Sequence, residues 1–99
     1  MRQWDLLVLH ASDDVATALA DLPAGAARLR VADGIESLTL PAPIPLGHKV
    51  ARHELAPGAL IRKYGAPIGT ATEAIAAGAH VHVHNLKSRR GRKKEGETP

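Results

Sequence analysis

Residues 41–65, PAPIPLGHKVARHELAPGALIRKYG, decide what kind of fold this chain can adopt. Proline and glycine recur every few residues, so short strands joined by turns fit this stretch and a helix does not. The stretch also carries an internal echo. LPAG at 22–25, IPLG at 44–47, LAPG at 55–58 and IAAG at 75–78 each place an aliphatic residue three positions before glycine. In the last three, an aliphatic also follows three positions after the glycine, at Val50, Ile61 and Val81. Such a unit is a tight turn pinned by one buried aliphatic, with a glycine free to take positive φ and a strand leaving it. The spacings between the glycines, 22, 11 and 20 residues, are too uneven for a solenoid, so a turn-rich β domain is expected.

Toward the N-terminus, residues 4–10 (WDLLVLH) are apolar enough for a buried strand. Ser12, Asp13 and Asp14 read as a helix start, with an apolar face through Val15, Ala18, Leu19 and Leu22, ended by PAG at 23–25. Residues 28–31 and 36–40 alternate in the manner of half-buried strands on either side of Asp33 and Gly34, which predicts a hairpin. The expected fold class is therefore mostly β (β+α), one domain over residues 1–86 with a single N-terminal helix.

Composition bounds the function. In 99 residues there is room for one modest core, which must be aliphatic because the chain has no Phe, one Tyr and one Trp. The absence of cysteine excludes disulfides, thiolate metal sites and a Cys nucleophile. No apolar run approaches the length of a membrane span, and the acidic N-terminal region is unlike a secretory signal, so a cytoplasmic protein without a membrane partner is expected. The overall charge of +3 is misleading. Residues 87–99 hold six of the thirteen Lys and Arg and two of the ten acids, which leaves seven bases and eight acids for the rest. That segment reads as a disordered basic tail, and with so few aromatic residues to stack on bases, nucleic acid is not an expected partner.

The chemistry concentrates in residues 63–85, KYGAPIGTATEAIAAGAHVHVHN, where His80, His82 and His84 alternate with Val81 and Val83. On a strand the histidines share one face and the valines the other. Neighbouring histidines on that face lie about 6.6 Å apart and the outer two about 13 Å, so two of the three can reach one ion and a further ligand must come from elsewhere, with His10 or His48 available. The alternative is a solvated polar strand face.

Several ordered motifs carry a resemblance. IPLGHKVA at 44–51, LAPG at 55–58, IRKYG at 61–65, IGTA at 68–71 and GAHVHVHN at 78–85, with His10 followed by residues 12–16, resemble the small N-terminal domain of the altronate and galactarate dehydratase family. That domain is of the SAF group, with a β-clip fold, and the likeness covers about residues 5–86. It implies a lyase that removes water from a hexonate-type sugar acid, with Fe2+ or Mn2+ as cofactor. The related sulfolactate sulfo-lyases have a similar small subunit and a separate large one. The chain is thus expected to be a small subunit that needs a large dehydratase subunit as partner, in either a homo- or a hetero-oligomer. On this reading His10, His82 and His84 are catalytic candidates, His82 and His84 metal ligands, and Lys49, Lys63, Tyr64 and Asn85 substrate-binding candidates. The competing reading is a SAF-type module that binds carbohydrate or a partner without catalysis.

Overall fold

The computed structural model describes residues 4–31 and 34–88. Nine strands account for the regular structure there: β1 (Leu6–Leu7), β2 (Val15–Ala18), β3 (Gly25–Val31), β4 (Gly34–Leu40), β5 (Lys49–Ala51), β6 (Leu60–Lys63), β7 (Ala66–Ala71), β8 (His80–Val81) and β9 (Leu86–Ser88). They form a six-stranded sheet in the order β4-β3-β1-β2-β5-β8 and a three-stranded sheet in the order β6-β7-β9. All pairings are antiparallel except β1 with β3. The mostly-β expectation holds, and β3 and β4 form the expected hairpin, with Leu29 opposite Glu36 and Ala27 opposite Leu38.

The N-terminal helix does not form, and among the described residues there is no helix at all. Val15 to Ala18 are a strand instead, paired on one side with β1 and on the other with β5. The capping signal was real but its recipient was not a helix. The buried Asp13 carboxylate accepts hydrogen bonds from the backbone N–H groups of Tyr64 (3.0 Å) and Gly65 (2.8 Å). The Asp14 carboxylate accepts one from the Arg62 N–H at 2.9 Å and meets His53 Nε2 at 2.9 Å. Tyr64 and Gly65 are the two-residue loop between β6 and β7, and both have positive φ, 58° and 77°. That is the signature of a type I′ hairpin turn, and a side chain with a Cβ at the first position makes it costly. Asp13 offsets the cost by satisfying both turn donors. The remainder of the long N-terminal strand expected at 4–10 reduces to Leu6 and Leu7.

The turn echo resolves into three alike units and one different. In the alike units the N–H after the glycine donates to the carbonyl two residues before it: His48 to Pro45, Ala59 to Ala56, Ala79 to Ala76, at 3.0–3.1 Å. The glycine φ values are 83°, 84° and 85°, as a type II turn requires at its third position. Each glycine N–H then reaches a neighbouring segment, at the carbonyls of Ala18, Ala71 and Ala51. The aliphatics that precede them pair reciprocally, Leu22 with Ile44 and Leu55 with Ile75, each through two hydrogen bonds of 2.8 Å. Gly25 departs from the pattern, with φ 121°, and opens β3 directly.

These pairs anchor two cores. Leu22 and Ile44 pack with Leu6, Val8, Leu29, Leu40 and Val50, whereas Leu55 and Ile75 pack with Val15, Ile61, Ala71 and Val81. The three aliphatics that follow the turns, Val50, Ile61 and Val81, are all fully buried. Two turn units meet where β5 pairs with β8, with Lys49 opposite Val81 and Val50 opposite His80. That meeting places the polar residues next to the glycines of both units together. Strand β9 takes in Lys87 and Ser88, the first two residues of the expected tail; residues 89–99 lie outside the described residues. Among the described residues no helix is long and apolar enough to cross a membrane.

Candidate functional site

The HVHVH run is not one continuous strand. β8 ends at Val81, and the carbonyl of His82 then accepts the N–H groups of Asn85 and Leu86, both at 3.0 Å, to close a tight turn. Val83 is thrown outward and is 84% exposed, whereas Val81 is buried, so the expected valine face breaks after its first residue. Asn85 makes the turn. It is buried, its Oδ1 accepts the His82 N–H at 2.9 Å, and its Nδ2 donates to the His80 carbonyl at 2.8 Å. An amide is required because one acceptor and one donor are used at once. The side chain expected to bind substrate is thus engaged with the backbone that carries two histidines. Asn85→Ala leaves the part-buried His82 N–H and His80 carbonyl without their side-chain partner and is expected to cost about 2 kcal/mol in a urea unfolding experiment.

The turn gathers imidazoles instead of spreading them. His48 Nδ1 and His80 Nε2 are 2.9 Å apart, a hydrogen bond in which one ring donates and the other accepts. His82 stands edge-on to His48, with ring centroids 4.8 Å apart, and 5.3 Å from His80. His84 folds back to 5.6 Å from His80. One nitrogen from each of His48, His80 and His82 can be chosen so that all three lie within 4.8 Å of one another. The strand-based expectation of His82 and His84 as the ligand pair, with the outer histidines too far apart, therefore meets a different geometry. His80 joins the group, and His48 comes to it from the facing turn unit.

Lys49 and His48 line a shallow cleft with Gly47, Val81 and His82, of about 180 Å³. Partial burial, and secondly the charge of Lys63, hold the Lys49 ammonium below its usual pKa. His80 is lowered by desolvation first, then by His82, His48, His84 and Lys49. His82 is lowered by desolvation, then by His48, Lys49 and His84. Crowded positive groups with no carboxylate among them favour neutral imidazoles and an incoming anion.

The other candidates sit on the β6–β7 hairpin. The Lys63 Nζ lies 4.7 Å from the Tyr64 ring centroid, and Tyr64 is 65% exposed. His10 rests over Gly65, where a Cβ would come within 3.0 Å of its ring. Its Nδ1 accepts the Ser12 N–H at 3.1 Å, which places the proton of the neutral ring on Nε2. The structure thus sets His10 over Gly65 and Lys63 against Tyr64, while His48, His80, His82 and His84 form the imidazole cluster. Sequence reasoning set His80 aside. The missed signal was that GHK at 47–49 and GAH at 78–80 follow equivalent turns, which pair back to back.

A mostly-β module of paired turn units that presents an imidazole- and lysine-lined cleft is the class these features define. Residues 4–89 match the altronate/galactarate dehydratase SAF domain, and the chain belongs to this family. It is similar to altronate dehydratase of Escherichia coli (46% identical over 80 residues, 81% of this chain and 16% of that protein) and of Bacillus subtilis (41% over 80 residues, again 81% and 16%). It is also similar to (2R)-sulfolactate sulfo-lyase subunit alpha of Chromohalobacter salexigens, 47% identical over 47 residues that make up 48% of this chain and 50% of that subunit. The matched region is thus about a sixth of the altronate dehydratases.

The donor set can be tested against the iron or manganese that the resemblance implies. Three imidazoles without a carboxylate suit Fe2+, whereas Mn2+ favours oxygen ligands. The residues fit iron.

Proposed function

We propose that this chain is the small component of a sugar-acid dehydratase, removing water from a hexonate-type hydroxy acid together with a separate large subunit. The observation that carries this reading is the cleft in which His48, Lys49 and His82 meet, beside His80 and within range of Lys63. Its volume, about 180 Å³, is below the roughly 300–1,000 Å³ typical of a pocket that encloses a small ligand. A second wall is needed. Leu46 and Val83, adjoining the cleft residues in sequence, and Tyr64 are exposed apolar side chains suited to docking it. A separate partner is supported by the sulfo-lyase relatives, each of which is named as subunit alpha.

Dehydration next to a carboxylate breaks a C–H bond at the α-carbon and a C–O bond at the β-carbon. The C–H electron pair becomes the double bond, and hydroxide leaves as water once protonated. His84, the imidazole of the cluster outside the three-ligand set, takes the α-proton and as imidazolium delivers it to the leaving oxygen, while Lys49 and Lys63 hold the carboxylate. Iron held by His48, His80 and His82 would supply Lewis acidity toward the substrate's oxygens. The same cleft serves a second reading, a sulfolactate sulfo-lyase in which the leaving group is sulfite, favoured by the likeness to the alpha subunits.

The test is affinity capture of the large partner from the native host, followed by a screen of hexonates and sulfolactate with iron or manganese. Water loss from a hexonate by the captured pair supports the proposal. A chain that stays alone and binds sugar acids unaided makes it a non-catalytic binding module.

A further inference from the structure

We infer that this chain by itself forms a three-imidazole site, His48, His80 and His82, that selects a borderline divalent transition ion such as Co2+, Fe2+ or Zn2+ over Mn2+ and Mg2+. The inference rests on the same cluster as the proposed function and deepens that reading by naming the ions its nitrogens select. Two of the nitrogens are already 2.9 Å apart, and none of the three is more than 4.8 Å from another. Two nitrogens on one ion at about 2.1 Å each are about 3.4 Å apart in tetrahedral geometry, so the widest pair needs to close by about 1.4 Å. The three histidines are half-buried, with His48 and His82 lining the cleft.

The backbone beneath them is held firmly. His48 follows the type II turn at Gly47, His80 is fixed by pairing with Val50, and His82 is fixed by the Asn85 amide. Such support from a surrounding shell separates a built site from a chance cluster of surface histidines. The other three histidines have different settings: His10 over Gly65, His53 against Asp14, and His84 beside His80 but outside the three whose nitrogens converge. With imidazole as the only donor type, the order of affinity follows the softer ions, and the oxygen-preferring ones fall behind.

The experiment is a titration of the full chain with Co2+, followed through its visible absorption and by calorimetry, then repeated with Mn2+. One Co2+ per chain is expected, with Mn2+ at least ~100-fold weaker. His80→Ala and His82→Ala, checked for folding by circular dichroism, are each expected to weaken Co2+ at least ~10-fold, the loss reported for altered metal-site supports being the lower guide. His53→Ala and His84→Ala should stay within about threefold of the wild type. Absence of a 1:1 complex overturns the inference, as does binding that survives His80→Ala and His82→Ala or depends equally on His53 or His84. Should binding fail while the reconstituted enzyme still dehydrates hexonates, only this inference falls.

Discussion

Gly78→Ala is expected to destabilise the protein by about 3–5 kcal/mol, against about 1–2 kcal/mol for Gly47→Ala at the equivalent turn position. The comparison separates two costs that usually come together. Both glycines occupy the third position of a type II turn, at φ 85° and 83°, so the price of forcing an L-residue into that conformation is the same. Their surroundings differ. A Cβ on Gly47 meets nothing within 4 Å, whereas one on Gly78 runs into the Thr39 carbonyl and approaches the Leu38 side chain. A carbonyl on β4 cannot swing away without breaking the β3–β4 ladder, so the strain stays in the structure. The contact matters for the site because Gly78 opens the turn that delivers His80. Urea unfolding midpoints of the two variants, at unchanged slope, measure the difference. Equal losses would place no carbonyl above Gly78.

The double variant His80→Ala and His82→Ala is expected to lower turnover of the reconstituted complex at least ~100-fold, because it removes two of the three imidazoles that would hold the iron. The variant should fold. Neither ring lies in an aliphatic core, and the one hydrogen bond lost, His48 to His80, is only part-buried. Lys63→Ala belongs to a different class. A lysine that holds the carboxylate in ground and transition states alike raises KM with kcat nearly unchanged. His53→Ala, whose ring pairs with Asp14 outside the cleft, serves as the control and leaves both constants as they are. Unchanged turnover in the double variant would remove the cluster from the reaction.

The turn units were legible because their chemistry is local. A glycine with aliphatics three places either side leaves few conformations, and all three later copies adopt the same one. The β3–β4 hairpin was legible for the same reason, since Arg28, Leu29 and Arg30 alternate between solvent and core. The helix at residues 12–22 misled because Asp13 and Asp14 cap backbone donors that lie about fifty residues away, at the β6–β7 hairpin. A short carboxylate serves either purpose, and nothing local distinguishes them. The site was half legible. His82, Lys49 and Lys63 were candidates by type, and His82 and Lys49 line one cleft, but a strand of three histidines was assumed where Asn85 folds the last part back into a turn. That assumption alone kept His80 out of the group, and the pairing that brings His48 to it is long-range.

Under the proposed function this chain supplies one wall of a lyase site completed by a large subunit. The most direct measurement is the rate of water loss from a hexonate by the isolated large subunit with iron, as this chain is added. Saturable activation at one chain per large subunit, with the His80→Ala and His82→Ala chain binding but not activating, is the predicted result. A large subunit that turns over at its full rate without this chain, or is activated equally by the double variant, would contradict it.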